Sequence, residues 1–170
     1  APDRIGVDAG ISWDAVLAAT LPAGTAPPVL PDHLELTVGG TLSVGGIGGT
    51  SHRYGCQADN VHDLDVVTPV GELVTCSPTV RPDLFDAVRA TQGEFGIIVG
   101  ATLALRPVHR AARRYLLSYR DLAVFLDDQR RLTDDRRFDH VQGQALNVDG
   151  VGWRFVVEAV ATFTRAAGGF

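Results

Sequence analysis

Between Gly39 and Gly49 the chain places six glycines in eleven positions, with the hydroxyls of Thr37, Thr41, Ser43 and Thr50 around them and Leu42, Val44 and Ile47 as apolar anchors. Glycine admits positive φ and lets the backbone come close to a ligand, so successive N–H groups in such a stretch can converge on an anion. No basic residue lies within residues 37–50. A phosphate held here would rest on amides and hydroxyls, which suits the pyrophosphate of a dinucleotide. The same composition also describes tight turns or bulges after a strand. One acid, Asp32, stands just upstream, behind Pro27, Pro28 and Pro31.

A second acid, Glu158, interrupts the apolar run FVVEAVATF. A lone buried carboxylate is costly, so this one is expected to be paired, protonated or on an exposed strand face. His52, His62, His109 and His140 are scattered without ligand spacing, and no metal site is expected. Cys56 and Cys76 read as buried free thiols. All fifteen basic residues are arginine, which excludes a P-loop lysine, a pyridoxal Schiff base and a lysine general base.

These residues need elements to hold them. Arg4 to Ala9 reads as a strand, and Ser12 as the N-cap of a short helix with Trp13, Val16, Leu17 and Thr20 on one face. The proline-rich stretch 25–32 forbids helix and delivers Asp32 on an extended, stiff approach. Residues 34–38 read as a strand-like run leading into the glycines. VHDLDVVT and GELVTCS pair as a hairpin across a turn at 68–71, and a helix opens at Pro82 and closes by Gly93. IIVGATLALRP reads as a central strand with apolar residues on both faces at first. After residue 108 come a strand, a helix capped by Asp121, a charged loop at TDDRRFD and two further strands, FDHVQGQALNV and GWRFVVEAVATFT. The predicted class is α+β, with domains at 1–107 and 108–170.

With 45% apolar and 21% charged residues and a net charge of −5, the composition is that of a soluble globular protein without a transmembrane run. Its arginines form no basic stripe. Nucleic acid and anionic membranes are therefore not expected as partners, and a small molecule is.

The segments TVGGTLSVGGIGGTSHRYGCQADNVHDLDVVTPVGELVTCS and DLFDAVRATQGEFGIIVGATLALRP carry a family resemblance. They resemble the second half of the FAD-binding domain of the vanillyl-alcohol-oxidase (PCMH-type) superfamily, and within it are most similar to the cytokinin dehydrogenases. The likeness runs from about Gly6 to Pro107 and more loosely to Thr164. It implies an FAD-binding domain, C-terminal half, at 1–107 and the start of a substrate (cap) domain at 108–170. The implied cofactor is FAD, contacted by Asp32, Thr37, Gly39, Gly40, Thr41, Ser43, Ile47 and Ile98, with Gly39, Gly40 and Thr41 adding backbone donors. The implied activity is oxidation of a secondary amine, such as an N6-substituted adenine, to an imine by hydride transfer to flavin. Asp32 would accept the amine proton as the base and Glu158 would approach it, both as catalytic residues. A carboxylate does this best when partial burial raises its pKa.

The chain departs from the pattern at His33, where the family has an aromatic residue, and at Val44, where it has asparagine. It also lacks the Gly-Arg-Gly-His-Ser segment whose histidine carries the flavin in the family, so a piece of a longer enzyme is expected. The alternatives are an alcohol or sugar oxidase of the same superfamily, for which no tyrosine base stands in the matching place, and a non-catalytic, truncated FAD-binding remnant.

Overall fold

The computed structural model describes residues 1–164. The chain forms two units, Ala1–Val108 and His109–Phe170.

In the first unit β1 (Arg4–Asp8) leads through the turn at Ala9 and Gly10 to α1 (Trp13–Thr20), followed by β2 (Thr25–Ala26). Two short helices, α2 (Val38–Ser43) and α3 (Ser51–Tyr54), flank the glycine turn. The hairpin β3 (Val61–Val67) and β4 (Leu73–Cys76), α4 (Pro82–Val88), β5 (Ile97–Ala104) and β6 (Arg106–Pro107) complete the unit. The main sheet is antiparallel in the order β1-β5-β3-β4, and β2 pairs with β6 in a separate ribbon. Trp13 and Val16 of α1, Val38 and Leu42 of α2, and Phe85 and Val88 of α4 pack with Leu64, Val66, Ile98 and Leu103 of the sheet in one core. Each such buried side chain contributes roughly 1.5–3 kcal/mol of transfer free energy. The helices of this core are short, so burial rather than intrinsic propensity holds them.

Three sequence expectations are corrected here. Residues 34–38 do not form a strand; Thr37 makes a single antiparallel bridge with Ser12 and then caps α2, because its hydroxyl accepts from the Gly40 N–H. Strand β5 is central, but only one of its faces is covered, and Ile97 and Val99 are exposed. Helix α4 ends at Val88, well before Gly93. Cys76 is buried, whereas Cys56 is only half-buried; both are free, and burial pushes the Cys76 thiol up.

The second unit is a three-stranded antiparallel sheet, β7 (Ala111–Tyr119), β9 (Gly152–Phe163) and β8 (His140–Val148) in that order, with α5 (Leu122–Asp135) between β7 and β8 in sequence. Asp121 caps α5 by accepting from the Val124 N–H at 3.0 Å. The helix runs into the expected charged loop as far as Asp135. Phe125 packs with Val141 and Val157 in a small core of its own, while Leu122 and Leu126 stay exposed.

Candidate functional site

The glycine-rich stretch divides into two parts. In the first, α2 starts against the sheet: the N–H of Val38 donates to Ile11 O at 2.9 Å and that of Gly39 to Ala9 O at 2.8 Å. The Gly40 N–H donates to Thr37 Oγ1 at 3.3 Å and the Thr41 N–H to Thr37 O at 3.1 Å. The backbone donors expected of Gly39, Gly40 and Thr41 are therefore engaged within the protein, because they serve as the capped first turn of a helix. Gly39 has a packing reason to be glycine: a Cβ there would stand 2.7 Å from Ala9 Cβ and 3.3 Å from Ile98 O. Buried Thr41 accepts from Trp13 Nε1 at 2.9 Å and donates to Val38 O at 3.1 Å, which pins α1 to α2. Ile98 is buried beside them and belongs to the core.

In the second part the chain turns through positive φ at Gly45 (95°) and Gly46 (66°). Their carbonyls accept from the N–H groups of Ala58 (3.0 Å) and Gln57 (2.7 Å). The N–H groups of Gly46 and Ile47 donate to no acceptor among the described residues. Ile47 is 75% exposed, an unusual degree for isoleucine beside a packed core. Ser43 donates its hydroxyl to Gly39 O at 2.8 Å and keeps its acceptor lone pairs.

The proline-rich segment lies along this turn. Thr50 Oγ1 donates to Pro28 O at 2.8 Å, and Gly48 comes so close to Leu30 that a Cβ would stand 2.0 Å from Leu30 O. Val29 between them is 1% exposed, and the chain then emerges at Asp32 and His33, both exposed. Asp32, Thr37, Ser43 and Ile47 thus follow one another along the segment that passes over buried Gly39 and Thr41, while Gly40 is exposed.

This donor set fits a diphosphate-bearing cofactor. The Ser43 hydroxyl, the amides of Gly46 and Ile47, which donate to no acceptor among the described residues, and the exposed Ile47 side chain follow one another at the C-terminal end of α2, with the Thr37 hydroxyl at its other end, in a stretch with no cationic residue. Elsewhere in the unit, the uncovered sheet face carries an open depression of about 600 Å³ lined by Asp8, Asp63, Asp65, Val99 and Thr102. Among the described residues no group of three or more His, Cys, Asp or Glu is placed to hold a metal ion, and no helix is long and apolar enough to cross a membrane.

Glu158 lies in the second unit, on central strand β9, between Leu116 of β7 and Gln142 of β8. Arg114 donates to its Oε2 at 2.7 Å, and this hydrogen bond holds the Glu158 carboxyl below the usual range. Of the three outcomes open to an acid in an apolar strand, the structure shows pairing. His140 across the sheet adds a weaker attraction, and its Nε2 is buried without a hydrogen-bond partner among the described residues. Sequence reading missed Arg114 because strand register decides which of several arginines reaches Glu158. It also missed Gln57, whose side chain is 2% exposed under the glycine turn. The signal for it was a polar residue flanked by Cys56 and Ala58 soon after the turn.

Residues 2–77 match the FAD binding domain family. Over 159 residues the chain is 50% identical to an uncharacterized oxidoreductase of the fasciation locus of Rhodococcoides fascians, covering 93% of this chain and 36% of that protein. It is 45% identical over 148 residues to cytokinin dehydrogenase 10 of Oryza sativa subsp. japonica, covering 84% and 27% of the two chains. Cytokinin dehydrogenase 4 of Arabidopsis thaliana is 43% identical over 147 residues, covering 85% and 28%. The chain spans about a third of the length of the curated relatives it matches.

Proposed function

The chain belongs to the FAD-linked oxidoreductases of the PCMH type, with FAD as cofactor, and from that premise we propose that its protein oxidises a secondary amine to an imine. Residues 1–107 would be the C-terminal half of the FAD-binding domain and 108–170 the beginning of a substrate domain. FAD, when bound, supplies the acceptor for a hydride leaving carbon. Thr37, Ser43 and the amides of Gly46 and Ile47 would hold it through its diphosphate, with exposed Gly40 beside them, while Gly39, Thr41 and Ile98 form the packed floor beneath.

Asp32 would be the base. Loss of hydride from the carbon of a CH–NH group and of a proton from its nitrogen leaves a C=N bond, and a carboxylate at the nitrogen lowers the barrier by taking that proton. Water then cleaves the imine to an aldehyde and a free amine. Glu158 would stand as the second acid. With Arg114 bonded to it, Glu158 is ionised at neutral pH, a state that accepts a hydrogen bond rather than donating one.

The observation that carries this reading is the tie between the Asp32-bearing segment and the glycine turn, which supports a fixed place for the acid beside the cofactor residues. It is tested in the intact, FAD-loaded protein with Asp32→Asn, following flavin reduction by an N6-substituted adenine in a rapid-reaction experiment. The rate of reduction is expected to fall by about 10²–10⁴-fold with FAD content unchanged. A fall of less than about tenfold would assign the base elsewhere. Reduction by alcohols or sugars but not by amines would move the protein to the alcohol-oxidase reading.

A further inference from the structure

We propose that Gln57 is a positioning residue that locks the glycine turn and the Asp32-bearing segment into one unit, so that cofactor contact and base keep a fixed spacing. The functional half of this rests on the FAD reading above; the mechanical half does not.

Gln57 is fully buried yet polar, at 2% exposure. Its backbone N–H donates to Gly46 O at 2.7 Å, and the N–H of the following Ala58 donates to Gly45 O at 3.0 Å. These two bonds clamp both positive-φ residues of the turn. Its side chain runs the other way: Nε2 reaches Val29 O at 3.5 Å, in the middle of the proline-rich segment. Oε1 is buried and accepts from no group among the described residues. It lies directly against the turn, since a Cβ on Gly46 would stand 1.9 Å from it.

The amide cannot simply be reversed, because that would set its oxygen against the Val29 carbonyl. A leucine would fill the same volume without burying an unpaired carbonyl, which is costly. Packing alone therefore does not account for glutamine here, whereas a donor that spans from the turn to Val29 does. The neighbouring contacts point the same way. Pro28 O accepts from Thr50 Oγ1, Val29 O faces Gln57 Nε2, and Leu30 O abuts Gly48, so three successive carbonyls of the approach to Asp32 are met by groups on or after the turn. Gln57 bonds to both sides, to Gly46 through its backbone and to Val29 through its side chain.

Hydrogen exchange on the full chain tests this. In Gln57→Leu the bonded amides of Gly45, Gly48 and Ala58 and the buried amide of Val29 are expected to exchange together, about tenfold faster than in the parent, with β3 and β5 unchanged. Loosening of the turn alone, or of neither segment, overturns the proposal. Should Gln57→Leu fail to fold, Gln57→Glu gives the same answer through pH. A protonated glutamic acid can still donate to Val29 O, so both segments stay protected near about pH 5 and lose protection together near about pH 8. Separate responses of the two segments, or none, overturn the proposal.

FAD titration of the same variants then separates the two readings. Weakening of FAD binding by about tenfold in Gln57→Leu, with Thr50→Val intermediate, extends the lock to the cofactor; coupled exchange in a parent chain that binds no FAD leaves the lock standing and removes the cofactor reading.

Discussion

The helix at Val38–Ser43 and the turn at Gly45–Gly49 are adjacent in sequence and alike in composition, yet they use glycine differently. In the helix, Gly39 is there because Ala9, just after β1, and Ile98 of β5 leave no room for a Cβ, and the first-turn amides are all spent on Ile11, Ala9 and Thr37. In the turn, Gly45 and Gly46 are there for backbone conformation, their carbonyls are spent on Ala58 and Gln57, and the amides of Gly46 and Ile47 are left over among the described residues. A run that reads as one anion cradle is thus a packed support followed by a donor-bearing loop. Only the second has amides to give a ligand.

Substitutions that add one methyl group test this division. The largest effect is expected at Gly48→Ala, whose Cβ would overlap the Leu30 carbonyl at 2.0 Å, a backbone atom that cannot move without carrying the Asp32 segment with it. A loss of about 3 kcal/mol or more in denaturant unfolding is expected, together with weakened FAD binding. Gly39→Ala comes next. Its clash is with Ala9 Cβ at 2.7 Å, Ala9 O at 3.2 Å and Ile98 O at 3.3 Å, looser than the overlap at Gly48, and the better helix propensity of alanine offsets part of the strain. A net cost of about 1–2 kcal/mol is expected, with FAD affinity per folded molecule nearly unchanged. Equal loss of FAD affinity in the two variants would dissolve the distinction between support and loop.

Thr41→Val removes the acceptor of the Trp13 indole N–H while keeping the shape of the side chain. The unpaired buried donor should lower stability by about 1–3 kcal/mol. A shift of Trp13 fluorescence should accompany it, because the indole is the only group of α1 bonded to Thr41 in the described hydrogen bonds. Unchanged stability would mean that α2 is held by burial of Val38 and Leu42 alone.

Much of this fold was legible in the sequence because its signals are local. The hairpin turn closed by Gly71, the helix start at Pro82 and the cap at Asp121 all act over a few residues, and each stands where those residues require, while Ser12 takes the N-cap position of α1 but turns its hydroxyl to Asp14 instead of capping. The run at 34–38 misled because an apolar-polar alternation was read without its neighbour. Thr37 finds a single bridge to Ser12, and a helix through two glycines forms only because the sheet below buries Val38 and Leu42. The chemistry of the glycine stretch was visible, but the partition of its donors was not. That partition depends on Ala9, Ile11 and Gln57, which are remote in sequence. The same holds for Arg114, whose pairing with Glu158 follows from the β7–β9 register.

The second unit offers the contrasting way to fix an acid. Asp32 is placed by backbone ties to a glycine turn, whereas Glu158 is placed by one cation on the neighbouring strand. Because the hydrogen bond from Arg114 holds the Glu158 carboxyl below its ordinary value of 4.5, the folded state binds the proton more weakly than the unfolded chain. The pair therefore adds stability above the ordinary glutamate range, and that contribution is lost as pH falls through the depressed value. Arg114 is 61% exposed and Glu158 27%, so solvent and salt screen the interaction and its effect is the smallest of this series. Arg114→Leu should lower the melting temperature slightly at pH 7, the difference shrinking at high salt and vanishing in acid once Glu158 is protonated in both proteins. A difference that persists unchanged into acid would mean that Arg114 acts through its aliphatic stem on β7, and Glu158 would then need another group to keep it ionised.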